Sequence, residues 1–211
     1  GLIFVHELGH AAAALAIGLP VTGMMFVPFM GAAVTMRGLE FLAASKQVVV
    51  AIAGPLVGGV AAGAVAAAGH SSDSDFLKAL ADWGFMVNLF NLMPVSGLDG
   101  GYILGACSRW FLLAGTGAMG YALYAGVIGN PLMVLILLMS AYNTAQHFFP
   151  AQLGAPFRSP VPMTPAQKLV TGVAYMGLVG ALAAAQDANR LELKKPPIPP
   201  QYEEYGVSEF V

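Results

Sequence analysis

Cysteine and charge are both scarce in this chain of 211 residues. The single cysteine, Cys107, excludes an intramolecular disulfide and a cysteine-based zinc site. Charged residues make up 9% of the chain, whereas a soluble domain has about 25%. No basic stripe is present, so the sequence predicts no nucleic-acid partner. With 57% hydrophobic residues, the composition predicts a polytopic membrane protein.

The few charged groups include a motif with an informative spacing. His6, Glu7 and His10 form the pattern H-E-x-x-H, and no other charged residue precedes Arg37. On a helix the two imidazoles lie one turn apart on the same face, where both can bind one zinc ion. The glutamate between them can then act as a general base toward water. The alternative is a structural helix with two hydrogen-bonded histidines, but ionisable groups in an apolar helix are costly, which favours a function.

Apolar segments recur along the whole chain. A spanning helix needs about 20 apolar residues, and we predict an all-α polytopic membrane protein with about six transmembrane helices. Gly18 and Pro20 are expected to end the first of them. The predicted spans are residues 1–19, 46–69, 76–90, 102–126, 132–149 and 165–185.

Two segments rich in glycine and proline interrupt these helices. Residues 20–36 predict a short membrane-embedded β element after the first helix, with an interfacial loop as the alternative. Residues 91–101 contain a proline and three glycines, so we expect broken backbone that lines a cavity within the membrane. The predicted domains are a membrane domain over 1–186 and a Pro-rich charged tail over 187–211, outside the membrane.

A catalytic zinc site needs a third protein ligand and an open position. Asp99 is the only carboxylate in the second broken segment, and the glycines after it would allow close approach to another helix. Its alternative role is a helix N-cap, since a helical pattern restarts just after it. Asp82 fits better as the helical partner of Lys78, and His147 fits better as an interfacial histidine. The predicted metal ligands are His6, His10 and Asp99.

Three motifs follow one another within residues 1–150. The H-E-x-x-H helix comes first, Ala53-Gly54-Pro55 comes second, and residues 91–100 read N-x-x-P-x-x-x-L-D-G. In order and spacing they resemble the motifs of the site-2 proteases, a family of intramembrane zinc metalloproteases. Two positions depart from that family's pattern. Gly58 lies where the family often has asparagine, and Tyr102 lies where many relatives have a basic residue.

The resemblance implies a role for each matching residue. His6, His10 and Asp99 would bind zinc, and Glu7 would be the general base and then the proton donor to the leaving amine. Asn91 would hydrogen-bond the substrate backbone or the developing oxyanion. The broken segment after the first helix would be the family's β element, where substrate is thought to pair as an added strand.

The expected function is that of a zinc metalloendopeptidase that hydrolyses peptide bonds of transmembrane protein substrates in the lipid bilayer. The expected location is multi-pass, in a bacterial inner membrane or an organellar membrane. The rival hypothesis is a non-catalytic, site-2 protease-like scaffold subunit of a larger membrane complex, docked through its apolar helices and Pro-rich tail. A metal-binding transporter is a weaker third hypothesis, because it would need ligands along a pathway rather than in one cluster.

Overall fold

The computed structural model describes residues 1–27, 31–127, 131–150, 153 and 161–189. This part of the chain contains seven α-helices, a two-stranded antiparallel sheet and a short 3₁₀ turn at Leu39–Phe41. The strands are β1 (Val21–Val27) and β2 (Gly31–Met36). The helices are α1 (Leu2–Ala16), α2 (Ala44–Ser71), α3 (Asp75–Asn91), α4 (Asp99–Cys107), α5 (Arg109–Tyr124), α6 (Pro131–Phe148) and α7 (Pro165–Ala188).

The prediction of a multi-pass protein with about six spans is wrong. Within the described residues, only α2 and α7 are long and apolar enough to cross a membrane. Helices α1, α3, α4 and α5 have 15, 17, 9 and 16 residues. Each is shorter than a typical membrane span, which has about 20 residues. Helix α6 has 18 residues, but its second half carries Asn143, Gln146 and His147.

The error has a physical origin, because an apolar run can continue through a turn where the helix itself ends. The predicted helix over 102–126 divides at Ser108, which has extended backbone and lies between α4 and α5. The Ser108 hydroxyl accepts a hydrogen bond from the backbone N–H of Trp110 and so caps α5. Composition alone therefore overestimates the length of these helices.

Helix α1 ends at Ala16, and the chain then turns into the sheet. Gly18 has a φ of +83°, a left-handed conformation that glycine adopts without strain. The backbone N–H of Leu19 donates to the carbonyl of Ala14 at 2.9 Å and closes the helix end. The two antiparallel strands lie within the segment predicted to form the β element, with Met24 opposite Val34.

Helix α2 lies at the centre of the helical packing. It contacts α1, α3, α4 and α7, and small residues on its surface make these contacts close. At Gly59, for example, a Cβ would overlap the side chain of Leu182 on α7. The main apolar core joins α2 to α3, α4 and α7 through residues that include Val48, Phe85 and Ile103.

The segment between α3 and α4 is broken, as the sequence predicts. Two of its backbone polar groups are paired by side chains from other helices. The Tyr175 hydroxyl on α7 donates to the carbonyl of Leu92 at 2.6 Å. The backbone N–H of Ser96 donates to the hydroxyl of Ser140 on α6 at 3.1 Å. These bonds fix the course of the chain that leads to Asp99.

Helix α7 begins with a capping box, in which Thr164 and Gln167 bond reciprocally. It continues through Ala188, and Asn189 is its C-terminal cap. The predicted boundary at residue 187 therefore falls inside the helix. The rest of the predicted tail, residues 190–211, lies outside the described residues.

Candidate metal centre

Helix α1 places both motif histidines on its buried face. His6 and His10 are 3% and 8% exposed, and their Nε2 atoms lie 3.1 Å apart. The rings meet edge to face, with centroids 4.8 Å apart. The one-turn spacing predicted from the sequence therefore brings the two ring nitrogens together.

Asp99 reaches the same point from the first turn of α4. One carboxylate oxygen, Oδ2, lies 3.2 Å from Nε2 of His6, and Oδ1 lies 3.3 Å from Nε2 of His10. Asp99 is the first residue of α4 and follows the N-cap, Leu98, where the helix dipole favours a negative charge. Asp99 therefore does not serve as the helix N-cap, which was the alternative role considered for it from the sequence.

Two glycines next to Asp99 allow α4 to begin where it does. A Cβ at Gly100 would overlap the carbonyl of Leu92, and a Cβ at Gly101 would overlap the carbonyl of Val95. We expected these glycines to allow close approach to another helix. They instead allow the first turn of α4 to fold against the backbone just before it, which brings Asp99 back toward α1.

The contacts of Nδ1 direct the ring hydrogen of each neutral histidine away from the centre of the cluster. Nδ1 of His10 lies 2.8 Å from the carbonyl oxygen of Val50, which only accepts, so this nitrogen carries the hydrogen. Nδ1 of His6 lies 2.8 Å from Oδ1 of Asn88. In neutral rings both Nε2 atoms then present lone pairs to each other and to Asp99. Asp99 Oδ2 is buried and has no hydrogen-bond partner within the described part of the chain.

This arrangement fits a cation. Ligand atoms bound at about 2.0–2.2 Å from a tetrahedral zinc ion lie roughly 3.3–3.6 Å apart. The observed separations of 3.1, 3.2 and 3.3 Å between the donor atoms are at or slightly below the short end of that range. Ligand-type atoms of His6, Glu7 and His10 also lie within 4.8 Å of one another. The cluster could therefore hold a metal ion, whose charge would offset the convergence of lone pairs.

Glu7 lies beside the cluster and bonds to the sheet. Its side chain is buried, and its Oε2 accepts a hydrogen bond from the backbone N–H of Val34 at 2.9 Å. Because Val34 belongs to β2, the sheet helps to orient the carboxylate. The hairpin and α1 thus contribute to one site.

Asn91 does not contact the cluster in any hydrogen bond found among the described residues. Its side-chain amide donates to the carbonyl of Val87, one turn earlier in α3, at 3.1 Å. The predicted role of Asn91 in binding substrate or an oxyanion stays a prediction. Asn88, one turn before Asn91 on α3, is the residue that reaches His6.

The other ionisable residues considered from the sequence lie elsewhere. Lys78 pairs with Asp73 at 2.8 Å and with Asp75 at 3.6 Å, so the predicted pairing with Asp82 is wrong. The hydrogen bond that Lys78 donates to the Asp73 carboxylate raises the pKa of Lys78. His147 lies at the end of α6, where burial and the nearby positive charge of Arg109 lower the pKa of its imidazole.

Three contributors to the site were not predicted from the sequence, and they differ in the signal that the sequence offers for them. Asn88 is a polar residue in an apolar stretch of α3, which by itself suggests a role. The carbonyl of Val50 left none, because a backbone contact does not depend on residue type. Gly54 was noted only as part of a motif, yet a Cβ there would overlap Nε2 of His10.

Comparison with known proteins adds no assignment. No protein-family model matches the chain, and no curated protein matches it. The fold and the cluster define a mainly helical protein with a candidate metal centre at the meeting point of α1, α2, α3 and α4.

Proposed function

We propose that this protein is a zinc metalloendopeptidase that hydrolyses peptide bonds of transmembrane substrates, in the manner of the site-2 proteases that its motifs resemble. The observation that carries the proposal is the convergence of His6 Nε2, His10 Nε2 and the Asp99 carboxylate, 3.1–3.3 Å apart. With Asp99 as the third metal ligand, Glu7 is not needed to bind the metal and can act as the general base.

Zinc is the metal that this donor set favours. Two imidazole nitrogens and one carboxylate oxygen form a ligand set found in zinc hydrolases, which leaves one position open. When bound, zinc would supply Lewis acidity toward a peptide carbonyl and would make water more acidic. The hydrogen bonds from Nδ1 of each histidine would hold the rings for this task.

Glu7 is the proposed general base. It follows His6 directly in the chain, and the backbone N–H of Val34 holds its Oε2. The other oxygen, Oε1, would accept a proton from the attacking water and deliver it to the leaving amine. The two steps need one carboxylate that is buried, oriented and not consumed as a metal ligand.

A membrane-embedded substrate is consistent with the apolar character of the protein. Helices α2 and α7 are long and apolar enough to cross a membrane. Side chains on α7 such as Leu169, Val173 and Met176 are 65–70% exposed, and apolar surface of that kind is suited to lipid. The proposed partners are therefore a lipid bilayer and a transmembrane protein.

The experiment compares cleavage of a membrane-embedded peptide by the parent and by Glu7→Gln, together with zinc content. Glutamine cannot accept the proton, so we expect a loss of about 10²–10⁴ in turnover with zinc content unchanged. Asp75→Asn is the matched control, because Asp75 is 80% exposed at the start of α3, and it should cleave like the parent. Zinc binding by a parent protein that cleaves no membrane peptide would instead support the scaffold hypothesis. Cleavage by Glu7→Gln at the parent rate would contradict the proposed role of Glu7.

A further inference from the structure

Within the described part of the chain, Asn88 is the one side chain that hydrogen-bonds the ring of His6 from outside the predicted ligand set. It lies on α3 and is 2% exposed. Its Oδ1 lies 2.8 Å from Nδ1 of His6. The sequence motifs assign it no role.

The orientation of the Asn88 amide follows from its second contact. Its Nδ2 donates to the backbone carbonyl of Gly84 at 2.8 Å. A carbonyl oxygen only accepts, so the nitrogen of the amide must face Gly84 and the oxygen must face His6. The oxygen in turn accepts from Nδ1 of His6, and this places the ring hydrogen on Nδ1 and the lone pair on Nε2.

Space for this amide comes from a glycine on α2. A Cβ at Gly58 would overlap Oδ1 of Asn88 and would also crowd the rest of the amide. Any larger residue at position 58 would therefore displace the group that holds His6. At Gly63, on the same helix, no atom of another described element lies within 4 Å of the Cβ position, so Gly63 does not share this constraint.

The two histidines are held by different kinds of acceptor. His10 uses the backbone carbonyl of Val50, which no side-chain substitution removes. His6 uses the side chain of Asn88, which can be substituted. Of these two hydrogen bonds, only the one to His6 can be removed by substituting the acceptor residue.

We propose that Asn88, with the clearance provided by Gly58, is a positioning residue that fixes the ring tautomer of His6 and so sets the affinity of the site for its metal. The inference rests on the metal centre of the proposed function. An outer acceptor of this kind orients a ligating imidazole and raises its basicity, and its loss typically weakens metal binding by about 10- to 100-fold.

The first arm of the test reads the tautomer in the metal-free protein by ¹⁵N NMR of the imidazole nitrogens. We expect a protonated Nδ1 on His6 in the parent and a mixture of tautomers in Asn88→Leu. Asn88→Asp keeps an oxygen at the same place and should restore the parent tautomer. Asn189→Leu is the matched control, since Asn189 is also 2% exposed but donates to Lys78 at the other end of α3.

The second arm measures zinc affinity by competition with a chelator. Asn88→Leu and Gly58→Ala should each weaken zinc binding by about 10- to 100-fold, while Asn189→Leu and Gly63→Ala should bind like the parent. If Asn88→Leu does not fold, the tautomer and zinc affinity of Gly58→Ala and Asn88→Asp are compared with those of the parent instead.

Unchanged tautomer and affinity in Asn88→Leu would overturn the proposal, as would equal losses in Asn88→Leu and Asn189→Leu. A parent protein that binds no zinc would overturn the proposed function, yet the first arm would still report whether Asn88 fixes the ring. A protein that binds zinc normally but cleaves nothing would leave the assignment of Asn88 intact.

Discussion

Two buried polar clusters in this molecule differ in where their hydrogens lie. The first joins α5, α6 and the broken segment. The Thr116 hydroxyl lies 2.7 Å from that of Ser140 and 3.2 Å from that of Thr144, and Ser140 accepts from the N–H of Ser96. A hydroxyl both donates and accepts, so these groups satisfy one another without any added partner.

With both histidines neutral, the second cluster has no hydrogen at its centre. The hydrogens on His6 and His10 are directed outward to Asn88 and Val50, and the third member, Asp99, is a carboxylate that only accepts. Burial of polar groups is common to both clusters, so burial does not distinguish a structural network from a binding site. The direction of the hydrogens does, because only the second cluster, with neutral histidines, turns lone pairs toward one point where it could hold a cation.

The first way to sharpen this contrast is to add zinc. At a free zinc concentration of 100 times Kd, the free energy of unfolding of the parent should rise by about 2.7 kcal/mol. His10→Leu removes one donor and should lose this response. The measurement is chemical denaturation in detergent micelles, with and without a chelator. A similar zinc response in His10→Leu would mean that the metal binds elsewhere.

A second test breaks the metal cluster through its packing. In Gly54→Ala the new methyl group would overlap Nε2 and Cε1 of His10. We expect a cost in unfolding free energy of about 2–3 kcal/mol from overpacking, together with loss of the zinc response. Gly63→Ala on the same helix meets no atom of the other elements that the structure describes, and it should stabilise the protein by up to about 1 kcal/mol. Equal behaviour of the two variants would refute the close packing of α2 against His10.

The smallest effect is expected in the hydroxyl cluster. Thr144→Val removes one hydroxyl that contacts Thr116 and keeps the shape of the side chain. The free energy of unfolding should fall by about 1 kcal/mol, and zinc affinity should stay at the parent value. Zinc titration of the variant checks this, and a weakened affinity would show that the two clusters are not separate.

Part of this site could be predicted from the sequence because it depends on local spacing. Two histidines four residues apart must share a face of any helix, and glycine and proline around Asp99 indicate broken backbone. The partners of the histidines could not be predicted in the same way. Asn88 and Val50 reach the rings only through the packing of α2 and α3 on α1, which depends on contacts far apart in sequence.

The number of membrane-spanning helices was overestimated for a related reason. The length of an apolar run in the sequence does not fix the length of a helix, because caps and turns such as those at Gly18 and Ser108 set where a helix ends. The strands after α1 were open to two interpretations, and the structure forms an antiparallel hairpin there. Its contact with Glu7 through Val34 again joins residues distant in sequence.

The most direct test of the central claim is a structure of the zinc-bound protein, with the metal located by its anomalous scattering. The account predicts one zinc ion at about 2.0–2.2 Å from Nε2 of His6, Nε2 of His10 and an oxygen of Asp99, with Glu7 close by but not bound. Zinc bound by Glu7 in place of Asp99, or no zinc between the two histidines, would contradict it.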